Sequence, residues 1–412
     1  MLNKKLKILL INTFFTPFGG AEIVAYNTYK ILKNHNYDVF FFSSDKEPLF
    51  EQDENIFTTK FIGGTKNYLK NPLRYYYNKK AKKDLQKCIA KIKPDLIHIH
   101  SRFGFSSSIA DCIKNFPTIM TIHDTSLFCP ASTLMKHNNE YCNNLPCKKL
   151  KFYNCILNNC DPQGVEGGIR HTIRCYLDLK LLKNIDNFIL PTETLKELII
   201  KAQLGIDKQK LNVINNFLIK EQLNIEPNYT DNDYFLYVGR LSSEKGLLYL
   251  LKAMKELPSK ISLHIVGSGP DEKNLKNFVL ENNLNNIHFF GFLSGEKLTK
   301  EYQNCIATIL PCNWFEVFGL TNIESFIHGK PVIASNIGSI PEIVTNNECG
   351  LLFEPGNIEM LKVQILKYWN NRNIVIEHGK NAYNKIFKFY CEDIYYEKLI
   401  KLYKETINEY IK

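Results

Sequence analysis

Residues 312–343 read CNWFEVFGLTNIESFIHGKPVIASNIGSIPEI, and the placement of two carboxylates in this stretch decides the fold. The short apolar run just before it, residues 307–310, has the length and composition of a buried parallel strand. Glu316 then falls in the loop at the carboxyl end of that strand. Glu324 falls about one turn into a helix expected to start near Thr321 or Asn322, both residues able to cap. Between the two acids, Phe318-Gly319-Leu320-Thr321 puts a flexible glycine and several unpaired backbone N–H groups where the helix begins, which suits an anion such as a diphosphate. A carboxylate cannot bind phosphate, so acids flanking such a cradle must face something neutral and rich in hydroxyls. A nucleotide sugar offers a ribose on one side of its diphosphate and a hexose on the other. Taken alone, the pair would read as solvated surface acids.

The flanking sequence argues against that plainer reading. Downstream come Gly329-Lys-Pro-Val-Ile-Ala-Ser335, Gly338 and Pro341-Glu342; upstream comes Gly239-Arg240-Leu-Ser-Ser-Glu-Lys245-Gly246, with Arg240 just after a strand and Lys245 at the next helix. Two fixed cations at that spacing can clamp a diphosphate and stabilise it as it leaves, Arg by its planar fork and Lys as a point charge. Together these motifs resemble the donor-site signature of family 4 glycosyltransferases, retaining enzymes of the GT-B fold. The sequence departs from that pattern at Val317 and Ser339, where glycine is usual, and at Asn215-Asn216-Phe217, where the family has an Asn-Gly turn. The resemblance implies that Arg240 and Lys245 hold the donor phosphates, that Glu316 serves the sugar and that Glu324 serves the ribose. It also implies that Gly267 and Gly269, in Val266-Gly-Ser-Gly-Pro270, border the donor, and that Phe292 and Leu293 wall the nucleobase.

Length and composition are compatible with this reading. The 412 residues suffice for two or three domains, and 44% hydrophobic content supports buried cores, which excludes a disordered or fibrous chain. The net charge of +10 suits an anionic ligand or membrane surface. Nucleic acid would suit it too, but no zinc-finger, RNP or helix-turn-helix pattern occurs, so no nucleic-acid partner is expected. No apolar run approaches the roughly 18 residues of a spanning helix, and the N-terminal run reads as a first strand rather than a leader. A cytoplasmic protein, at most peripheral to the inner face of the membrane, is expected.

Ten apolar runs alternating with helical patterns predict parallel sheets covered on both faces: residues 6–12, 38–42, 96–100, 118–123, 188–190, 235–238, 263–266, 287–290, 307–310 and 332–334. The alternation pauses over a polar segment. The expected organisation is an α/β, GT-B chain with two doubly wound, Rossmann-like domains facing a central cleft. An acceptor-side domain would cover residues 1–211, a linker 212–233 and a donor domain 234–385, with a terminal helix over 386–412 crossing back to the first domain.

In the first half, Gly19-Gly20 after the first strand lets backbone approach a ligand, and the resemblance places this loop opposite the donor phosphates. Thr121-Ile-His123-Asp124 closes a strand, and the resemblance makes His123 an active-site residue beside the sugar. His98 and His100 share one face of a neighbouring strand and read as structural. Residues 60–93 carry ten Lys and one Arg against a single acid, Asp84, interleaved with Tyr68, Tyr75, Tyr76 and Tyr77. Such a stretch can lie on anionic lipid or simply be a solvated helix face. Cys129, Cys142, Cys147, Cys155 and Cys160 crowd an Asn- and Lys-rich loop that resembles an insertion in a subset of the family. Four thiolates around a structural Zn²⁺ would tether it, against free buried thiols or a disulfide as alternatives.

The expected activity is therefore transfer of a hexose from a nucleotide sugar to a glycan or lipid-linked acceptor in surface polysaccharide assembly, with retention and with no cofactor required for catalysis. The alternative is a non-catalytic nucleotide-sugar or glycan-binding protein of the same fold. An oxidoreductase would need a Gly-x-Gly-x-x-Gly turn after the first strand, which is missing. Asp231-Asn-Asp233 has the letters of a metal-binding Asp-x-Asp but precedes a strand, and it reads as a turn.

Overall fold

A computed structural model describes residues 5–16, 19–44, 54–60, 72–136, 141–142, 144–230 and 232–411. The chain forms two compact units, residues 1–215 with 395–412, and residues 216–394. Each is built on one all-parallel sheet.

The first sheet comprises β1 (Lys7–Ile11), β2 (Asp38–Ser43), β3 (Ile56–Thr58), β4 (Leu96–Ile99), β5 (Thr118–Thr121), β6 (Asn187–Leu190) and β7 (Leu211–Val213), in the order β3-β2-β1-β4-β5-β6-β7. In β1, an inner strand, Ile8-Leu-Leu-Ile11 has every side chain sealed from solvent, because helices cover both faces. The second sheet comprises β8 (Tyr234–Val238), β9 (Ser262–Val266), β10 (Ile287–Gly291), β11 (Thr308–Leu310), β12 (Val332–Ser335) and β13 (Gly350–Phe353), in the order β10-β9-β8-β11-β12-β13. Along β8 the side chains alternate between two cores. Phe235 and Tyr237 join Leu263, Ile265 and Ile309 on one face, while Tyr234 and Leu236 join Val266 and Tyr302 on the other.

In both sheets the strand order reverses once, between β1 and β4 and between β8 and β11. Outside the carboxyl ends of such paired strands lies the crevice where open α/β sheets take ligands. The loops there include residues 12–16 and 100–106 in the first unit, and 239–246 and 311–319 in the second.

All ten predicted strands form, two-domain doubly wound architecture included. Three further strands, β3, β7 and β13, were not predicted. The second of these alters the expected boundary, since Asn212 and Val213 pair with β6 instead of opening a linker, and the first unit runs to Asn215. The second unit runs to Ile394, past the expected 385, and residues 395–412 group with the first. Among the described residues no helix is long and apolar enough to cross a membrane.

Candidate active site

The site in the second unit grows from two loops that lock together. Gly246 has φ +71, and a Cβ there would stand 1.9 Å from the Pro311 carbonyl oxygen, so only glycine lets the 239–246 loop lie against the 311–319 loop. The Asn313 N–H donates to the Glu244 carbonyl at 3.1 Å. Lys245 Nζ donates to Glu316 Oε2 at 2.6 Å and sits 5.0 Å from the Trp314 ring centre. Burial alone would lower the Lys245 pKa, but the Glu316 carboxylate outweighs it and the ammonium is held charged above its ordinary range. Arg240 is exposed and has no ion-pair partner among the described residues. The two cations predicted to clamp a diphosphate are thus unlike: Lys245 is fixed and half-neutralised by Glu316, while Arg240 is free to close on a ligand.

Helix Leu320–Ile327 follows, capped by Gly319 at φ +74. Thr321 and Asn322, the expected caps, lie inside it instead, because a left-handed glycine turns the chain two residues before Thr321. Its first turn carries no acid, which leaves the amino end electropositive. Glu324 accepts from Tyr302 Oη at 2.9 Å, and burial raises its pKa against that hydrogen bond. Phe318, predicted to touch the donor, is 3% exposed and packs edge-on against Tyr390, so that side chain belongs to the core and only its backbone can serve a ligand. Leu320 and Thr321 remain half-exposed.

Gly267 and Gly269 have a structural reason of their own. A Cβ at Gly267 would stand 1.9 Å from the Gly239 carbonyl oxygen, and one at Gly269 would stand 2.3 Å from that of Leu241, so they let the β9 loop press on the Arg240 loop. Phe292 is 77% exposed, an aromatic face open to solvent, while Leu293 packs on the Tyr234–Tyr302 core. Asp233 of the Asp-x-Asp turn accepts from Arg372 Nη2 at 2.9 Å; Asp231 lies outside the described residues.

In the first unit, His123 stands two residues past β5, and its Nε2 lies 3.1 Å from His100 Nδ1 with the rings stacked. Behind them His98 is bonded to Tyr403 Oη at 2.6 Å and to Thr121 Oγ1 at 2.7 Å. Burial pulls His123 down to about 4, opposed only by Asp124, and His98 to about 3, so both are neutral imidazoles at pH 7. His98 is structural as read, but His100 is more than that. It carries His123, and its own Nε2 is buried with no partner among the described residues.

Beside Asp124 opens a cavity of about 270 Å³ that the sequence did not reveal, lined by Tyr75, Tyr76, Phe103 and Arg174 among others. Arg102, also in its wall, is paired with Asp178 at 2.8 Å. Arg174 Nη2 donates to the Pro130 carbonyl, and no carboxylate lies within ion-pair distance of it among the described residues. Gly19 caps the Gly20–Asn34 helix from an extended conformation without a side-chain bond; Pro17 and Phe18 lie outside the described residues.

Cys129, Cys142 and Cys147 line a hollow of about 20 Å³, and the Cys160 N–H closes a turn onto the Cys155 carbonyl. All twelve thiols are free, and among the described residues no group of three or more His, Cys, Asp or Glu side chains is disposed to hold a metal ion. Phe128, Leu134, Leu145 and Phe152 of the same segment are buried.

Two residues of the site in the second unit went unpredicted. Trp314 shields Lys245, its indole N–H buried with no partner among the described residues, and Tyr302 fixes Glu324. Trp314 was findable, being one of only two tryptophans and two residues from Glu316.

Residues 18–221 match the model of Glycosyltransferase Family 4, and residues 219–385 match that of Glycosyl transferases group 1. The chain belongs to family 4 of the glycosyltransferases. Similar to it are an uncharacterized glycosyltransferase of Methanocaldococcus jannaschii, 26% identical and covering 94% of this chain and 95% of that one, and the O-antigen chain mannosyltransferase C of Escherichia coli, 22% identical over 97% and 98%. Among solved structures, sucrose-phosphate synthase from Thermosynechococcus elongatus aligns at TM-score 0.74 with 20% identity, covering 98% of this chain and all of that one. Anabaena HepE in complex with UDP and glucose aligns at 0.68 with 17% identity over 96% and 99%. These likenesses establish GT-B as the fold of this glycosyltransferase.

Proposed function

We propose that this family 4 glycosyltransferase moves a hexosyl group from a nucleoside diphosphate sugar, with retention at the anomeric carbon, to a glycan or lipid-linked acceptor in surface polysaccharide assembly. The observation that carries the reading is the Lys245–Glu316 pair beside the uncommitted Arg240 at the β8/β11 reversal. One loop pair there supplies cations for a diphosphate and carboxylates for hydroxyls.

Arg240 and Lys245 bind the diphosphate and stabilise the negative charge that grows on it as the glycosidic C–O bond breaks. Glu316, tied to Lys245, orients the hexose, and Glu324 accepts from the ribose. Gly19, Gly20 and the amino end of the Leu320–Ile327 helix offer N–H groups to phosphate oxygens. Phe292 and Leu293 wall the base, next to Gly267 and Gly269. Neutral His123 donates to a sugar hydroxyl or to the forming ion pair. The cavity beside Asp124 receives the acceptor, Arg174 at its wall. Arg240, Lys245 and the helix amino end together take the stabilising part that a metal would otherwise play, so the transfer proceeds without one.

The HepE complex contains UDP and glucose, and the E. coli relative is named a mannosyltransferase; both support a nucleotide hexose without choosing the base. A thermal-shift screen of UDP-, GDP- and ADP-sugars should find one series that raises stability by mass action. Transfer with that donor should proceed undiminished in EDTA and give a product of the donor's anomeric configuration by NMR. Strict Mn²⁺ dependence or an inverted product would refute the mechanism, and binding without turnover for any acceptor would leave the non-catalytic alternative.

A further inference from the structure

The helix Gly164–Leu182 buries charged side chains and shows apolar ones to solvent. Its buried residues include Arg170, Thr172 and Asp178, and Asp178 lines the acceptor cavity together with Arg174 and with Leu177 at the edge of the outer arc. Its solvent arc instead carries Val165 (55% exposed), Ile169 (44%), Ile173 (40%), Tyr176 (42%) and Leu177 (38%). At 3.6 residues per turn these five fall within roughly 120° of the circumference. The short helix Asn154–Leu157 packs alongside and adds Leu157 (75% exposed) and Tyr153 (46%). A surface helix normally turns its polar residues to water, and a continuous apolar patch of this kind marks a surface meant for a partner.

The charge around the patch selects the partner. Tyr176 Oη donates to the Leu150 carbonyl at 2.9 Å, which brings the loop bearing Lys148, Lys149 and Lys151 against the arc. All three are exposed and in no ion pair among the described residues, and Lys183 ends the helix on the same side. Lys180, within the arc, is drawn to Asp111 at 2.6 Å. Against these stands one exposed acid on the helix, Glu166, and residues 141–160 contain none. An apolar stripe rimmed by lysines fits the interface of an anionic bilayer, with side chains among the acyl chains and ammonium groups at the phosphates.

We infer that the outer arc of this helix, with Tyr153 and Leu157, docks the enzyme in the plane of an anionic lipid membrane and sets the acceptor cavity at the edge of that arc close to that surface. This rests on the proposed membrane-linked acceptor. It differs from docking through the basic stretch at residues 60–93. There, Lys79–Ile92 is a helix whose Lys80 and Lys82 are committed to Asp84 and Asp111, with Ala81, Leu85 and Cys88 facing the core; residues 61–71, Tyr68 among them, lie outside the described residues.

The test is co-sedimentation of the full chain with vesicles of phosphatidylglycerol and phosphatidylcholine, against phosphatidylcholine alone, with donor hydrolysis measured on the same samples. Wild type should bind the anionic vesicles. The exposed double substitution Ile169→Ser/Ile173→Ser should cut partitioning at least fivefold, and Lys148→Glu/Lys151→Glu should do the same at low salt. Both variants should keep the wild-type melting temperature and rate of donor hydrolysis. The inference fails if wild type stays in the supernatant, if the serine variant binds as wild type does, or if light scattering shows a dimer that the serines dissolve and no vesicle binding. Each of those results leaves transfer intact wherever hydrolysis persists; loss of hydrolysis in wild type would instead strike the proposed function.

Discussion

Lys245 and Arg240 sit five residues apart, yet removing them should have different consequences. Lys245→Ala leaves the Glu316 carboxylate, 9% exposed, without its counter-ion, so it should cost about 1–3 kcal/mol of stability as well as activity. Arg240→Ala removes an exposed, unpaired cation; stability should hold within about 0.5 kcal/mol while kcat falls on the order of 10²–10³-fold. Urea denaturation with steady-state kinetics separates the two. The histidines give a pH signature. Unfolded imidazoles take up protons near pH 6.5, whereas His123 resists to about 4 and His98 to about 3. Below pH 6.5 the unfolded chain therefore binds more protons, and stability should fall toward pH 4 by up to about 1.4 kcal/mol per pH unit for each such histidine. Above 6.5 they add no slope. His123→Gln should flatten the curve by one histidine's share; an unchanged slope would show that His123 titrates freely. The sequence made His123, Arg240, Lys245, Glu316 and Glu324 legible because each stands in a motif with fixed spacing. It hid Tyr302, His100's contact with His123 and the Arg174 cavity, whose partners come from distant elements and leave no local pattern.

At the scale of elements, the strands that escaped prediction share one property: β3, β7 and β13 are all sheet edges. An edge strand needs fewer paired residues and less apolar surface, and three or four residues carry no periodicity to read. The central strands, sealed on both faces, spell themselves out in continuous apolar runs. The loops between them are legible only through their glycines, and Gly246 shows what such a glycine does. Gly246→Ala sets a methyl group against the Pro311 carbonyl and must push apart the loops that join Lys245 to Glu316. It should cost about 2 kcal/mol or more and impair transfer, whereas Gly205→Ala, at φ +79 with nothing within 4 Å, should cost only backbone strain of about 1–2 kcal/mol and leave kcat unchanged. Equal effects on kcat from the two substitutions would show that the Gly246 contact does not shape the site.

At the scale of the whole molecule, the first unit is discontinuous in sequence. Thr28 Oγ1 meets Tyr395 Oη at 2.8 Å, His98 meets Tyr403 Oη at 2.6 Å, and Asn187 Nδ2 donates to Thr406 Oγ1 at 3.1 Å. Deleting residues 395–412 would uncover these polar atoms along with the apolar faces of Leu399 and Leu402, both at most 5% exposed in the intact chain. The shortened protein should lose the melting transition of its first unit and aggregate, while a donor nucleotide should still protect the second unit in limited proteolysis. The same contacts bear on how the protein is made. His98 precedes Tyr403 by 305 residues, and a ribosome adding roughly 5–20 residues per second spends about 15–60 s between them. Through that interval the amino-terminal strands wait for the segment that completes their core, with an imidazole still lacking the phenol that will cover it, so the half of the chain translated first is the half that finishes folding last.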